Sequence, residues 1–237
     1  MQKVSTVTVK ATPTIVNSPT ICSGNTTALT ASGATTYSWS NASTSTSISV
    51  SPAATTNYTV TGTTNGCSNA KVSTVTVKAT PTIAVNSPTI CSGNTTALTA
   101  SGATTYSWSN SATSTSISVS PTSNTSYTVT GTTNGCVGSK TLTVTVKTTP
   151  TVAVNNSTIC SGNSALTASG ATTYSWSNSA TTSSISVSPV TTTNYTVIGT
   201  TNGCANTKII TVNVNALPNV TFALTNSLVC LSDPAFC

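Results

Sequence analysis

Hydrophobic and polar positions alternate with a period of two along many short segments of this chain. Between residues 96 and 147, the apolar members of this alternation are Leu98, Ala100, Tyr106, Trp108, Ile117, Val119, Tyr127, Val129, Leu142, Val144 and Val146. Such alternation is typical of half-buried β-strands, and Thr, Val, Tyr and Ile suit a pleated surface. Gly, Pro and Asn separate the segments, and Asn134-Gly135 predicts a tight hairpin turn. The pattern predicts six or seven short strands and no helix.

The same pattern occurs three times. Three markers recur together at intervals of 68 or 69 residues, which is the signature of a repeat architecture. The cysteine of Ile-Cys-Ser-Gly-Asn recurs at Cys22, Cys91 and Cys160. The tryptophan of Tyr-Ser-Trp-Ser recurs at Trp39, Trp108 and Trp176. The cysteine of Asn-Gly-Cys recurs at Cys67, Cys136 and Cys204. The predicted units are residues 12–78, 80–147 and 149–214.

Both ends of the sequence carry parts of further units. Residues 1–11 predict the trailing strand of a preceding unit, because Val4–Lys10 duplicates Val72–Lys78. Residues 216–237 predict the start of a diverged fourth unit, since Pro218 and Cys230 keep the spacing of the earlier repeats. Two interpretations remain open: the ends are fragment boundaries, or strands are exchanged between successive chains. The candidate strand-exchange residues are Val4, Val7 and Val9.

Strands of this length and number in fewer than 70 residues predict an all-β fold of tandem immunoglobulin-like antiparallel β-sandwiches. The linkers between units are short, and each ends in a proline, Pro81 or Pro150, which restricts the backbone. Short, stiff linkers predict that the sandwiches form a rod.

Composition argues against catalysis. Only 3% of the residues are charged, histidine is absent, and Asp233 is the single acidic residue. General acid–base catalysis, metal binding and nucleophile activation all depend on such groups. We therefore predict no enzyme activity, no catalytic residue, no metal site and no cofactor.

The net charge of +6 comes from seven scattered lysines. Nucleic-acid-binding proteins cluster Lys and Arg on one face, so we predict no nucleic-acid partner. No run of about 20 apolar residues is present, so we predict no membrane span. Lysines at strand ends, such as Lys78 and Lys147, are expected to protect sheet edges from aggregation.

The units resemble the immunoglobulin-like and PKD-like tandem repeats of large surface or secreted proteins of Bacteroidota-type bacteria. The segments that carry the resemblance are Ile90–Asn94, Leu98–Gly102, Tyr106–Ser109, Tyr127–Val129 and Asn134–Cys136. This resemblance implies an exported protein, extracellular or at the cell surface.

The cysteines of an exported chain are expected to form disulfides. We predict pairing within units, which joins Cys22 to Cys67, Cys91 to Cys136 and Cys160 to Cys204. In an immunoglobulin-like strand order, however, the two cysteines of a unit fall at opposite ends of the sandwich. Pairing between neighbouring units, such as Cys22 with Cys136, therefore remains open. The last two cysteines, Cys230 and Cys237, are candidates for a local or inter-chain disulfide.

Two functions are consistent with the sequence. The first is a non-catalytic, disulfide-stapled structural segment of a bacterial surface fibre, filament or adhesin stalk, which associates with further copies or with neighbouring domains. The alternative is a glycan- or ice-binding adhesin module, suggested by rows of Ser and Thr. The loops repeat as faithfully as the strands, and this favours the structural function.

Overall fold

The computed structural model describes residues 14, 15 and 17–220, and these residues form β-strands joined by turns, with no helix. The predicted trailing strand at residues 1–11, with Val4, Val7 and Val9, lies outside the described residues. So do Cys230 and Cys237, together with nearly all of the predicted fourth unit.

Seven strands recur three times in the same order. In the first repeat they are β1 Thr14–Ile15, β2 Thr20–Cys22, β3 Thr27–Ser32, β4 Thr36–Trp39, β5 Ser47–Val50, β6 Thr56–Thr64 and β7 Cys67–Lys78. In the second they are β8 Ala84–Val85, β9 Thr89–Cys91, β10 Thr96–Ser101, β11 Thr105–Trp108, β12 Ser116–Val119, β13 Thr125–Thr133 and β14 Cys136–Lys147. In the third they are β15 Ala153–Val154, β16 Ser157–Ile159, β17 Ser164–Ser169, β18 Thr173–Trp176, β19 Ser184–Val187, β20 Thr193–Thr201 and β21 Cys204–Val214.

Each repeat places these strands in two sheets. The three-stranded sheets have the orders β1-β3-β5, β12-β10-β8 and β15-β17-β19, and the four-stranded sheets β2-β7-β6-β4, β11-β13-β14-β9 and β16-β21-β20-β18. One pairing in each repeat is parallel, between the short second strand and the end of the last strand, as in Cys22 opposite Lys78. The described residues are therefore tandem immunoglobulin-like β-sandwiches, as the alternation predicted.

Residues of both sheets meet in the core. In the first repeat, Leu29, Trp39, Ile48, Val60 and Val75 are buried together. The Trp39 Nε1–H donates to Ser45 O at 2.8 Å, so the indole is buried with its polar atom satisfied. Equivalent bonds hold Trp108 and Trp176. The Tyr-Ser-Trp segments are thus part of the core.

The residues that follow the linker proline Pro81 pack closely against the rest of the second repeat. A Cβ atom placed on Gly102 would lie 2.0 Å from Thr82 O, and Gly102 has a φ of +98°. The side chain of Ile83 is 6% exposed and reaches the backbone of Gly131. The linker proline is close as well, since a Cβ atom placed on Gly138 would lie 2.1 Å from Pro81 O.

Contacts divide the chain into two compact units that do not follow the repeats. The first unit takes in the chain up to Ser87, Ala97–Val119 and Ser126–Thr143, and the second takes in Pro88–Thr96, Ser120–Thr125 and the chain from Val144. The strands of the three repeats lie inside residues 12–78, 80–147 and 149–214, while the compact units divide the second repeat. The three bounds remain a prediction.

Candidate functional site: the disulfide junctions between repeats

Cysteines form the principal chemical feature of the described residues. No group of three or more His, Cys, Asp or Glu side chains comes together in this part of the chain. None of its segments is a helix long and apolar enough to cross a membrane. Every buried side-chain nitrogen or oxygen atom in the same residues has a hydrogen-bond partner. The candidate site of these residues is therefore the pair of disulfides between repeats.

The first junction is the disulfide between Cys22 and Cys136, whose Cα atoms are 5.6 Å apart. Cys22 ends β2 in the first repeat, opposite Lys78 at the end of β7. Cys136 begins β14 in the second repeat, directly after the turn Asn134-Gly135. Both turn residues have positive φ, 52° and 82°, which asparagine and glycine adopt readily. The bond therefore joins the end of one sandwich to a hairpin of the next.

A lysine accompanies this disulfide. The Lys78 Nζ donates to Asn134 O at 3.1 Å, so the cation at the strand end binds the carbonyl of the hairpin turn. The Cys22 Sγ lies 3.9 Å from Gly135 O. A disulfide sulfur has no proton to donate, so this is a packing contact. The sequence predicted only edge protection for Lys78, and the structure gives it a specific partner.

The second junction repeats the first between the second and third repeats. Cys91 is bonded to Cys204, again with 5.6 Å between the Cα atoms. The Lys147 Nζ donates to Asn202 O at 3.0 Å. Asn202 has a φ of 53° and Gly203 one of 82°, close to the values in the first junction. The hairpin cysteine is fully buried at both junctions, with Cys136 1% and Cys204 0% exposed.

The predicted pairing within units is wrong. Cys22 is bonded to Cys136 and not to Cys67, Cys91 is bonded to Cys204 and not to Cys136, and Cys160 is not bonded to Cys204. The alternative pairing of Cys22 with Cys136 is the one found.

The reason lies in the length of the last strand. Cys22 is opposite Lys78, while Cys67 begins the same strand eleven residues earlier. At about 3.3 Å per residue, the two positions are about 36 Å apart. A disulfide requires Cα atoms within about 7 Å. The same distance separates the two cysteines of every repeat, so only a neighbouring repeat brings a hairpin cysteine to Cys22 or Cys91.

Two cysteine positions of the repeats lie outside these two bonds. Cys160 carries a thiol and is half-buried at the end of the third repeat. Cys67 is exposed in the hairpin of the first repeat, after Asn65-Gly66. Asn65 and Gly66 have φ values of 51° and 78°, so this hairpin has the shape of the two that enter junctions.

No protein-family model matches the chain, and no curated protein matches its sequence. Among solved structures, a three-immunoglobulin structure of titin domains I67–I69 covers 88% of this chain and 100% of its own, with 11% identity and a TM-score of 0.42. Extracellular domains 3–5 of Drosophila OTK cover 89% of this chain and 99% of their own, with 11% identity and a TM-score of 0.34.

A third similar structure is the N-terminal eight immunoglobulin domains of the Down syndrome cell adhesion molecule. It has 13% identity and a TM-score of 0.35, and the match covers 89% of this chain and 37% of that one. The assignment of the fold rests on the strand orders and the core described above.

Proposed function

We propose that this chain is a non-catalytic structural segment of an extracellular fibre, filament or adhesin stalk of a bacterial surface protein. The observation that carries the proposal is the placement of the disulfides. Each bond joins one repeat to a hairpin of the next. In a structural spacer such a bond strengthens the joint, whereas a binding domain would need that hairpin free to contact its ligand.

The junctions shorten the covalent path along the chain. Cys22 and Cys204 are separated by 182 residues of backbone. Through the two disulfides, the path between them contains only the 45 residues from Cys91 to Cys136. Tension applied to the ends would therefore be carried by the disulfides, and much of the first and third repeats would be protected from extension.

Export is consistent with the same bonds. Disulfides persist in oxidising compartments and are rare in the reducing cytosol. The resemblance to repeats of large Bacteroidota-type proteins supports a bacterial surface origin. The scarcity of charge also favours packing against further copies, since it removes repulsion between like surfaces.

The hydroxyl rows support the alternative function only weakly. On the three-stranded sheets, Thr30 and Ser47 face each other with their oxygens 3.4 Å apart. The pairs Thr99–Ser116 and Thr167–Ser184 are equivalent, at 3.3 and 3.2 Å. These hydroxyls bond to one another, which lowers their capacity to bind a glycan or ice.

Stretching single molecules tests the structural function. Each molecule would be held by its termini and extended to full unfolding, with and without a reductant. Reduction should add about 137 residues between Cys22 and Cys204, which is about 480 Å of contour length at about 3.5 Å per residue. An equal contour length in both conditions would refute the proposal.

The variant Cys160→Ser is the matched control, because Cys160 takes part in neither junction. It should show the same oxidised contour length as the parent chain. Pairing within repeats would instead lose one bond in this variant, and would lengthen the oxidised chain by about 150 Å.

A further inference from the structure

Two interactions join the same pair of segments at the first junction. The disulfide links Cys22 to Cys136, and a hydrogen bond of 3.1 Å links Lys78 Nζ to Asn134 O. Cys22 and Lys78 lie opposite each other in the parallel pairing of β2 with β7. Asn134 and Cys136 are two residues apart in one hairpin. A cysteine and a lysine at the end of the first repeat therefore hold the same hairpin of the second.

The sulfur atoms lie against the backbone of the two segments that the lysine connects. Cys136 Sγ is 4.0 Å from Lys78 O, and Cys22 Sγ is 3.9 Å from Gly135 O. Cys136 is buried, whereas Lys78 and Asn134 are exposed. The lysine therefore binds at the exposed side of a contact that buries a sulfur atom.

The second junction has the same arrangement in a different part of the chain. Cys91 lies opposite Lys147 in the parallel pairing of β9 with β14. Lys147 Nζ donates to Asn202 O at 3.0 Å, and Cys91 Sγ is 4.0 Å from Gly203 O. The hydrogen bond and the disulfide to Cys204 again connect one strand end to one hairpin. The pairing of a lysine with a disulfide is therefore a property of the junction and not of one site.

We propose that Lys78 and Lys147 are positioning residues for disulfide formation. Each lysine docks the Asn-Gly-Cys hairpin of the following repeat, and so raises the effective concentration of the hairpin cysteine at Cys22 or Cys91. Two interactions that connect the same segments are linked, so each strengthens the other by the same factor. This inference goes beyond the structural function, because it concerns how the junctions form and is independent of the load they carry.

The step that depends on position is the second half of the oxidation. One cysteine thiolate attacks a small-molecule disulfide, here oxidised glutathione, and releases one glutathione thiolate. The second cysteine thiolate then attacks the protein sulfur of the mixed disulfide, forms the protein S–S bond and releases the other glutathione thiolate. The two protein thiols thus lose two electrons and two protons, and glutathione disulfide takes them up as two thiols. The second attack is intramolecular, so its yield rises when the hairpin is already docked.

Redox equilibration of the full chain tests the proposal. The chain is equilibrated in buffers with fixed ratios of reduced to oxidised glutathione, and an alkylating reagent stops the exchange. Peptide mass mapping then gives the reduced fraction of each disulfide separately, and hence its equilibrium constant with glutathione. Since one chain contains both junctions, each junction is the control for the other.

Lys78→Met keeps the length of the side chain and removes the cationic donor. It should lower the equilibrium constant of the Cys22–Cys136 bond about fivefold, the effect of one exposed hydrogen bond from a charged group. The Cys91–Cys204 bond should be unchanged in the same molecules. Lys147→Met should give the reverse result, with a loss at Cys91–Cys204 alone.

Three further measurements separate positioning from a general effect on the fold. Lys78→Arg retains a cationic donor and should restore most of the lost equilibrium constant. Added salt should narrow the difference between the parent chain and Lys78→Met, because salt screens exposed charges. Lys140→Met, at an exposed lysine of β14 with no turn carbonyl as its partner among the hydrogen bonds described, is the matched control and should change neither junction.

Three outcomes would overturn the inference: no change at Cys22–Cys136 in Lys78→Met, an equal shift of both junctions in that variant, or the same shift in Lys140→Met. The proposed function is tested separately, by the contour length of the parent chain with and without reductant. If both disulfides are mapped and that contour length changes on reduction while Lys78→Met has no effect, only the positioning role of the lysines fails.

Discussion

The interior of a sandwich and the junction between sandwiches are held together by different forces. In the interior, Leu29, Leu98 and Leu166 occupy the same position in successive repeats, and each is fully buried. At the junctions, a disulfide is accompanied by a lysine that binds a turn carbonyl at exposed atoms. Burial of apolar surface stabilises each small core. Between repeats, a disulfide joins the two sandwiches covalently.

Removal of the first junction is the strongest test of this difference. We expect the double variant Cys22→Ser with Cys136→Ser to lose up to about 5 kcal/mol of stability, because the bond closes a loop of more than 100 residues. Denaturant unfolding, with hydrogen exchange to locate the change, would measure the loss. Cys160→Ser should unfold like the parent chain. Equal stability of all three proteins would contradict the assigned role of the junction.

A core substitution should produce a loss that stays local. Leu98→Ala removes a fully buried side chain and is expected to cost about 2–5 kcal/mol. Hydrogen-exchange protection should fall in the strands of the second repeat, while the disulfides remain intact. The control is Val137→Ala, at a side chain that is 55% exposed, where a change of less than about 0.5 kcal/mol is expected. Equal effects of the two variants would contradict the assigned core.

The close packing of Thr82 against Gly102 can be tested with two glycines that differ in their surroundings. Gly102→Ala adds a Cβ atom 2.0 Å from Thr82 O at a positive φ, and should cost about 3 kcal/mol. Gly93→Ala also has a positive φ, of 78°, but no atom lies within 4 Å of the new Cβ. It should cost about 1–2 kcal/mol, the strain of the backbone alone. Thermal unfolding of both variants would measure the difference, and equal losses would contradict the close contact between Gly102 and Thr82.

The lysine contact should give the smallest effect. Lys147→Met keeps the length of the side chain and removes the hydrogen bond to Asn202 O, at a cost of about 1 kcal/mol. Lys140→Met, at an exposed position of β14, is the matched control and should be near neutral. The comparison is best made in denaturant at low ionic strength. Equal losses of stability in the two variants would show that the hydrogen bond from Lys147 to Asn202 O does not stabilise the protein.

Most of the fold could be predicted because its signal is local. Alternation such as Leu98, Thr99 and Ala100 reports which side chains face the core, and the structure buries the first and third of these and exposes the second. The parallel pairing of β2 with β7 was not predicted, because alternation gives the face of a strand and not its neighbour. The strand-exchange residues Val4, Val7 and Val9, and the bounds of the units, remain predictions.

The sequence by itself determined the number of repeats, the all-β class, the buried tryptophans and the scarcity of catalytic groups. These properties follow from composition, spacing and a period of two. Only the tertiary structure decided the partners of Cys22 and Cys91 and the role of Lys78. A disulfide depends on which strand ends meet, and the eleven residues between Cys67 and Lys78 keep the cysteines of one repeat apart. The neighbouring repeat supplies the partner because its hairpin lies where the first sandwich ends.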